Sequence, residues 1–153
     1  MVLQQFIAER LKITSNSKSA TQRPTSKNEL ELLIQQELKE QGPDADLNFI
    51  DTSEITDMSD LFYTLNIRNI KIDEWDVSNV TDMHGMFAWC KDFNCDLSGW
   101  DVSNVTNMAD MFNSCKEFKC DLSDWNVSNV VKHFSIFFNC DKIPDSMIPK
   151  FNK

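Results

Sequence analysis

An α/β solenoid of about four 25-residue coils is the fold class the sequence predicts, and three observations predict it. The stretch from Trp75 to Gly99 is restated from Trp100 to Asp124 with 17 identities in 25. The block from Trp125 still shares seven of these, and a block from Ile50 keeps Asp51, Ser53, Thr56, Asp57, Met58, Phe62 and Asn69 in register with the one from Trp75. Each unit also holds two apolar patterns, one of helical spacing and one that alternates. A fixed period of this length marks a stack in which each unit buries its apolar face only against its neighbours.

The elements follow in order. Residues 1–25 form a basic arm: Leu3, Phe6, Ile7 and Leu11 stand at helical spacing, and a polar linker with one proline follows. Residues 26–45 hold a capping helix, in which Ser26 and Glu29 fit a capping box. Leu30, Leu33, Ile34 and Leu38 make one stripe, and Gly42 with Pro43 ends it. Stacks need such covers, because a terminal unit otherwise leaves an apolar face in water. Residues 46–149 are the repeat, and 150–153 a short tail. Inside a unit, Val105, Met108, Met111, Phe112 and Cys115 fit two to three helical turns, with Ser103, Asn104 and Thr106 as N-cap candidates. The alternation of Cys120 and Leu122 within Lys119 to Trp125 suits a short strand. The unit is therefore expected to run strand, turn, short helix, return, with equivalent strands paired in parallel.

Composition narrows the function. The chain has 153 residues, enough for one domain with peripheral decoration, and lacks the run of about 18 apolar residues that a membrane span needs. Its first residues carry Glu9 and lack the apolar core of a secretory signal, so a cytoplasmic location is expected, or an extracellular one if a signal has been removed. Residues 1–27 carry a net charge of +4, which leaves −13 on the remainder to reach the overall −9. An acidic body repels phosphate backbones and argues against nucleic acid as a partner.

The run "WDVSNVTNMADMFNSC", followed by "FKCDLSDW", resembles the BspA-like leucine-rich-repeat surface proteins, including the mycoplasma-lipoprotein and Listeria types. The resemblance covers roughly Asp46 to Pro149. It implies a leucine-rich-repeat-like solenoid that binds proteins without catalysis, often as an adhesin at the cell surface.

Repetition sorts the remaining residues, because a position that is the same in every coil is demanded by stacking and one that varies is free to serve a partner. Trp75, Trp100 and Trp125 read as a packing ladder, whose indole N–H groups need partners. The Asp, Ser and Asn of each unit read as turn-formers, since no unit offers the close carboxylates and glycine of a calcium loop. The sequons at Asn79, Asn104 and Asn126 follow from the repeat itself. The five cysteines lie in two ladders, Cys90, Cys115, Cys140 and Cys95, Cys120. One repeat separates them, not the two to four residues of a zinc knuckle, so reduced thiols and no metal are expected. The only histidines are His84 and His133; the latter occupies a slot held elsewhere by Met83 and Met108. No nucleophile motif or phosphate loop accompanies either histidine, so neither catalysis nor a cofactor is expected.

Among the varying positions Trp89 stands out, because its equivalents are Ser114 and Asn139. Tryptophan is enriched among residues that dominate interfaces. With His84, Asp92, Asp110 and Glu117 it forms the expected partner-binding set, whose acidic rim suits a basic protein. The alternatives are the surface adhesin and a metal- or redox-responsive thiol protein.

Overall fold

The computed structural model describes residues 21–152. The helix expected at Leu3–Lys12, and the linker as far as residue 20, lie outside the described residues. Helix α1, Lys27–Gln41, starts where Ser26 Oγ accepts the Glu29 N–H at 3.3 Å. The Glu29 carboxylate reaches back to the N–H of Thr25 at 2.8 Å, one residue before the cap. The helix ends at Gly42, whose φ of 81° needs a residue without Cβ and whose N–H donates to Leu38 O. Lys27 Nζ donates to Ser59 Oγ at 2.8 Å and pairs with Asp57, and Leu30, Leu33 and Ile34 are buried in the core, so α1 lies against the first coil. Each such side chain contributes on the order of 1.5–3 kcal/mol before entropy is counted.

Four coils follow, residues 50–74, 75–99, 100–124 and 125–149. They are stacked, but the expected α/β architecture is wrong. Among the described residues α1 is the one α-helix, a 3-10 turn spans Asp145–Met147, and there is no β-strand. Neighbouring coils share only isolated parallel bridges, such as Asp57 with Asp82, Asp82 with Asn107, and Asn107 with Lys132.

The backbone bonding explains both misreadings. In coil 3 the N–H groups of Met108, Asp110, Phe112 and Ser114 donate forward to Lys132, Phe134, Ile136 and Phe138 of coil 4, at 2.7–3.0 Å. Those donors are therefore unavailable to the carbonyls four residues back that an α-helix requires. The intervening N–H groups of Met111, Asn113 and Cys115 close three-residue turns on Met108, Asp110 and Phe112. Asp110 and Ser114 have φ of 57° and 62°, which a right-handed helix forbids. The apolar spacing is thus produced by a run of tight turns. At Lys119–Trp125 the strand fails for a different reason. The Asp121 carboxylate takes the Ser123 N–H at 3.0 Å and bends the chain. Lys119 N–H donates to the side chain of Asn94, not to a backbone carbonyl.

Side-chain ladders supply the rest of the cohesion. Phe62, Phe87, Phe112 and Phe137 stack face to face with centroids 5.3–5.5 Å apart, and Phe93 and Phe118 form a second column 4.2 Å from the first. Trp75, Trp100 and Trp125 are buried, and their Nε1–H groups donate to Leu47, Ile72 and Leu97 O of the preceding turn of the stack. Asn79, Asn104 and Asn129 donate to Ser53, Ser78 and Ser103 O one coil back. Asp76 and Asp101 accept the N–H of Ser78 and Ser103, so these polar runs build turns.

Candidate functional site

Each coil presents two backbone sites of positive φ, and Asp60, Gly85, Trp89 and Asp110 among them border one groove. The first holds Asp60, Gly85, Asp110 and Ser135; the second holds Thr64, Trp89, Ser114 and Asn139. Trp89 therefore takes φ 66° and leaves its indole 49% exposed, while its backbone N–H donates to Asn113 O at 2.8 Å. The conformation belongs to the coil; the indole does not, because the other coils fill the slot with Thr, Ser and Asn.

A groove of about 460 Å³ opens beside Trp89, lined by Asp60, Tyr63, His84, Asp110 and Asn113 together with Gly85 and Ala88. Tyr63 is also 49% exposed, so two aromatic faces border a groove that holds two carboxylates. Gly85 has a specific role here. A Cβ at that position would lie 2.2 Å from Asp60 Oδ1, so the missing side chain makes room for the Asp60 carboxylate. Asp110 is held in place by Asn113 Nδ2, which donates to its Oδ1 at 2.8 Å, and Asn113 in turn accepts from Ser114 Oγ.

Of the expected set, Trp89, His84 and Asp110 meet in this groove. Asp92 and Glu117 do not: they line a second groove of about 470 Å³ with Arg68, Asn69, Asn94 and Lys119, and Glu117 pairs with Lys142. Asp60 and Tyr63 were missed. The signal lies in the sequence, since their equivalents change from coil to coil (Gly85, Asp110, Ser135 and Ala88, Asn113, Phe138).

The cysteine ladders have a structural chemistry. Sγ of Cys90, Cys115 and Cys140 donates to Phe62, Phe87 and Phe112 O at 2.7–3.0 Å. Burial pushes the Cys90 thiol up to about 12 and those of Cys95 and Cys140 up to about 11, and raises Cys115 and Cys120 as well. A thiol of this kind is protonated and a poor nucleophile or metal ligand. None of the five is in a disulfide, and among the described residues no group of three His, Cys, Asp or Glu side chains converges to hold a metal. No helix among those residues is long and apolar enough to cross a membrane.

Residues 34–151 match the family described as Mycoplasma protein of unknown function, DUF285. No curated protein and no solved structure matches. This finding replaces the BspA-like leucine-rich-repeat surface family named from the motifs. With no strand in any coil, the leucine-rich-repeat assignment falls too.

Proposed function

The chain belongs to that family, whose description carries no activity, and we propose from the geometry that this protein is a non-catalytic binding module whose groove takes a basic segment of a partner protein. The observation that carries the reading is the pairing of two exposed aromatic faces, Tyr63 and Trp89, with the carboxylates of Asp60 and Asp110 in one groove. A lysine or arginine side chain finds cation–π attraction and charge pairing there together. The stacked coils are already ordered, so little loop entropy is lost on binding. The net charge of −13 over residues 28–153 steers a basic partner toward the stack.

The test is binding of the full chain to immobilised peptides carrying lysine or arginine, against the same peptides with glutamine. Basic peptides should bind at least tenfold better, more weakly as salt rises, and Trp89→Ser should weaken them by about 2 kcal/mol. Equal binding of the glutamine peptides, or full binding by a folded Trp89→Ser variant, would remove this reading.

A further inference from the structure

The groove beside Trp89 holds acceptors that the described chain does not use. Across the stack, cations of one turn pair with carboxylates of the next, as Lys71 does with Asp46, Lys116 with Asp141 and Lys142 with Glu117. Among the described residues neither Asp60 nor Asp110 has an ion pair, and of their four carboxylate oxygens only Asp110 Oδ1 is engaged, by Asn113 Nδ2. Gly85 brings the two acids nearer. They belong to coils 1 and 3, and equivalent rings of neighbouring coils stand 5.3–5.5 Å apart. Because Gly85 has no side chain, the Asp60 carboxylate lies over coil 2, in the space a Cβ would fill, and so one coil from Asp110. The same stack shows what bridges two such acids. The Arg23 guanidinium pairs with Asp51 at 3.1 Å and with Glu54 at 3.5 Å and donates to Ser53 Oγ at 3.1 Å, and Arg68 holds Asp44 through Nε and Nη2 together. Lys71, Lys116 and Lys142 meet one carboxylate each, and Lys27 reaches two only at 3.9 Å.

We propose, resting on the reading that this groove takes a basic segment, that it selects one arginine of that segment over lysine, the guanidinium bridging Asp60 and Asp110 with its face against the Trp89 indole. Three properties of the side chain select it. A guanidinium carries five N–H donors in a rigid plane, so different edges of it meet carboxylates on two coils. Its face stays free to lie on an exposed aromatic ring. It is also more weakly hydrated than an ammonium, so less water has to be removed as it enters. An ammonium is a compact point charge that pairs with one acid and keeps its hydration. It uses the charge of the groove but not the placing of two acids around an indole.

The experiment measures the affinity of the full chain for three peptides, identical and otherwise uncharged, with arginine, lysine or glutamine at one position. The arginine peptide should bind at least about fivefold tighter than the lysine peptide, and lysine tighter than glutamine. Asp60→Asn and Asp110→Asn should each weaken the arginine peptide about fivefold or more and bring the arginine-to-lysine ratio within about twofold, since each removes one half of the bridge. Asp92→Asn, an equal loss of charge outside this groove, should leave the ratio unchanged. Lysine binding as tightly as arginine, with both above glutamine, would overturn this inference and leave the basic-segment reading standing. Glutamine binding as tightly as arginine would remove both. A ratio that survives either aspartate substitution in a folded variant would overturn the bridge. Asp60 makes no side-chain bond among the described residues, so Asp60→Asn decides the point even if Asp110→Asn fails to fold.

Discussion

At one end of the stack α1 closes the apolar face of coil 1 and buries Leu30, Leu33 and Ile34; at the other, Phe134 and Phe138 of coil 4 stay in solvent. The difference extends to which residues each coil keeps. Coil 4 shares only seven residues with coil 3, and they are those that hold the turn or reach backward. Trp125 Nε1, Asn129 Nδ2 and Cys140 Sγ donate to Leu97, Ser103 and Phe112 of coil 3, Phe137 stacks on Phe112, and Ser128 closes its turn on Asn126. Val127 and Val130 fill the buried slots. Coil 4 also lacks some backward ties: Val131 stands where Thr81 and Thr106 donate to the coil before, and Ile143 where Phe118 stacks on Phe93. A coil in the middle answers to two neighbours and a coil at the end to one, which is the nearest-neighbour logic of a one-dimensional stack.

The sharpest way to break this comparison is to make one substitution in the middle and at the end. Trp100→Ser removes a buried indole that has a coil on each side and the bond to Ile72 O, and is expected to cost about 3–5 kcal/mol in chemical denaturation. Trp125→Ser removes the same group from a coil with a neighbour on one side only, and the expected cost is about half of that. Equal costs would mean that the stack is not limited by neighbours.

The covered end and the open end supply the second contrast. Leu33→Ala in α1 should cost about 2–4 kcal/mol, because its side chain is fully buried in a core that cannot easily collapse. Phe138→Asn, which restores the residue type of coil 3, should move the melting temperature by less than about a degree, since an exposed ring contributes little. A large loss at Phe138 would show that this face packs on something in the isolated protein.

Much of this was legible in the sequence, and the part that was not has a physical cause. Repeat length, coil register, the buried tryptophans and the capping signals of α1 follow from side-chain identity at fixed spacing. The secondary structure of a coil does not. Met108, Met111, Phe112 and Cys115 carry helical spacing because tight three-residue turns bring them to one side, and the destinations of the N–H groups, with the positive φ of Asp110 and Ser114, distinguish that from a helix. The groove was half legible for a similar reason. Trp89, His84 and Asp110 could be singled out by their variation, but which varying residues share a face depends on the two positive-φ sites, and a sequence does not display φ where Thr, Trp, Ser and Asn all occupy the slot.

Trp89 then sharpens the comparison between positions required by the stack and positions free of it. Its backbone sits where an L residue other than glycine or asparagine is strained, and its ring stacks on none of the aromatic columns. Trp89→Asn, the residue that coil 4 uses, is expected to stabilise the fold by a few tenths up to about 1 kcal/mol. Destabilisation beyond about 1 kcal/mol would make the indole a packing residue and remove the reason to treat the groove as a binding site.

The smallest effect concerns the ties that hold each end to its neighbour. At the α1 end, Asp44 accepts from the Arg68 guanidinium and from the Asn69 N–H at 3.1 Å, and these bonds, the arginine first, lower its pKa to about 2. A carboxylate depressed in the folded state adds stability that is fully present above its unfolded value of about 3.8. That contribution is lost as pH falls through about 2, because protonation then removes the charge the guanidinium holds. At the coil 4 end the corresponding ties are Lys116 with Asp141 and Lys142 with Glu117. Both Asp44 and Arg68 are solvent-exposed, so the gain is screened and small. The measurement is therefore a difference: melting temperature from pH 5 to pH 2 for the parent and for Asp44→Asn. The two curves should be offset at pH 5 and converge as pH approaches 2. Curves that run parallel through that range would show that the Asp44 tie contributes nothing to holding α1 on the stack.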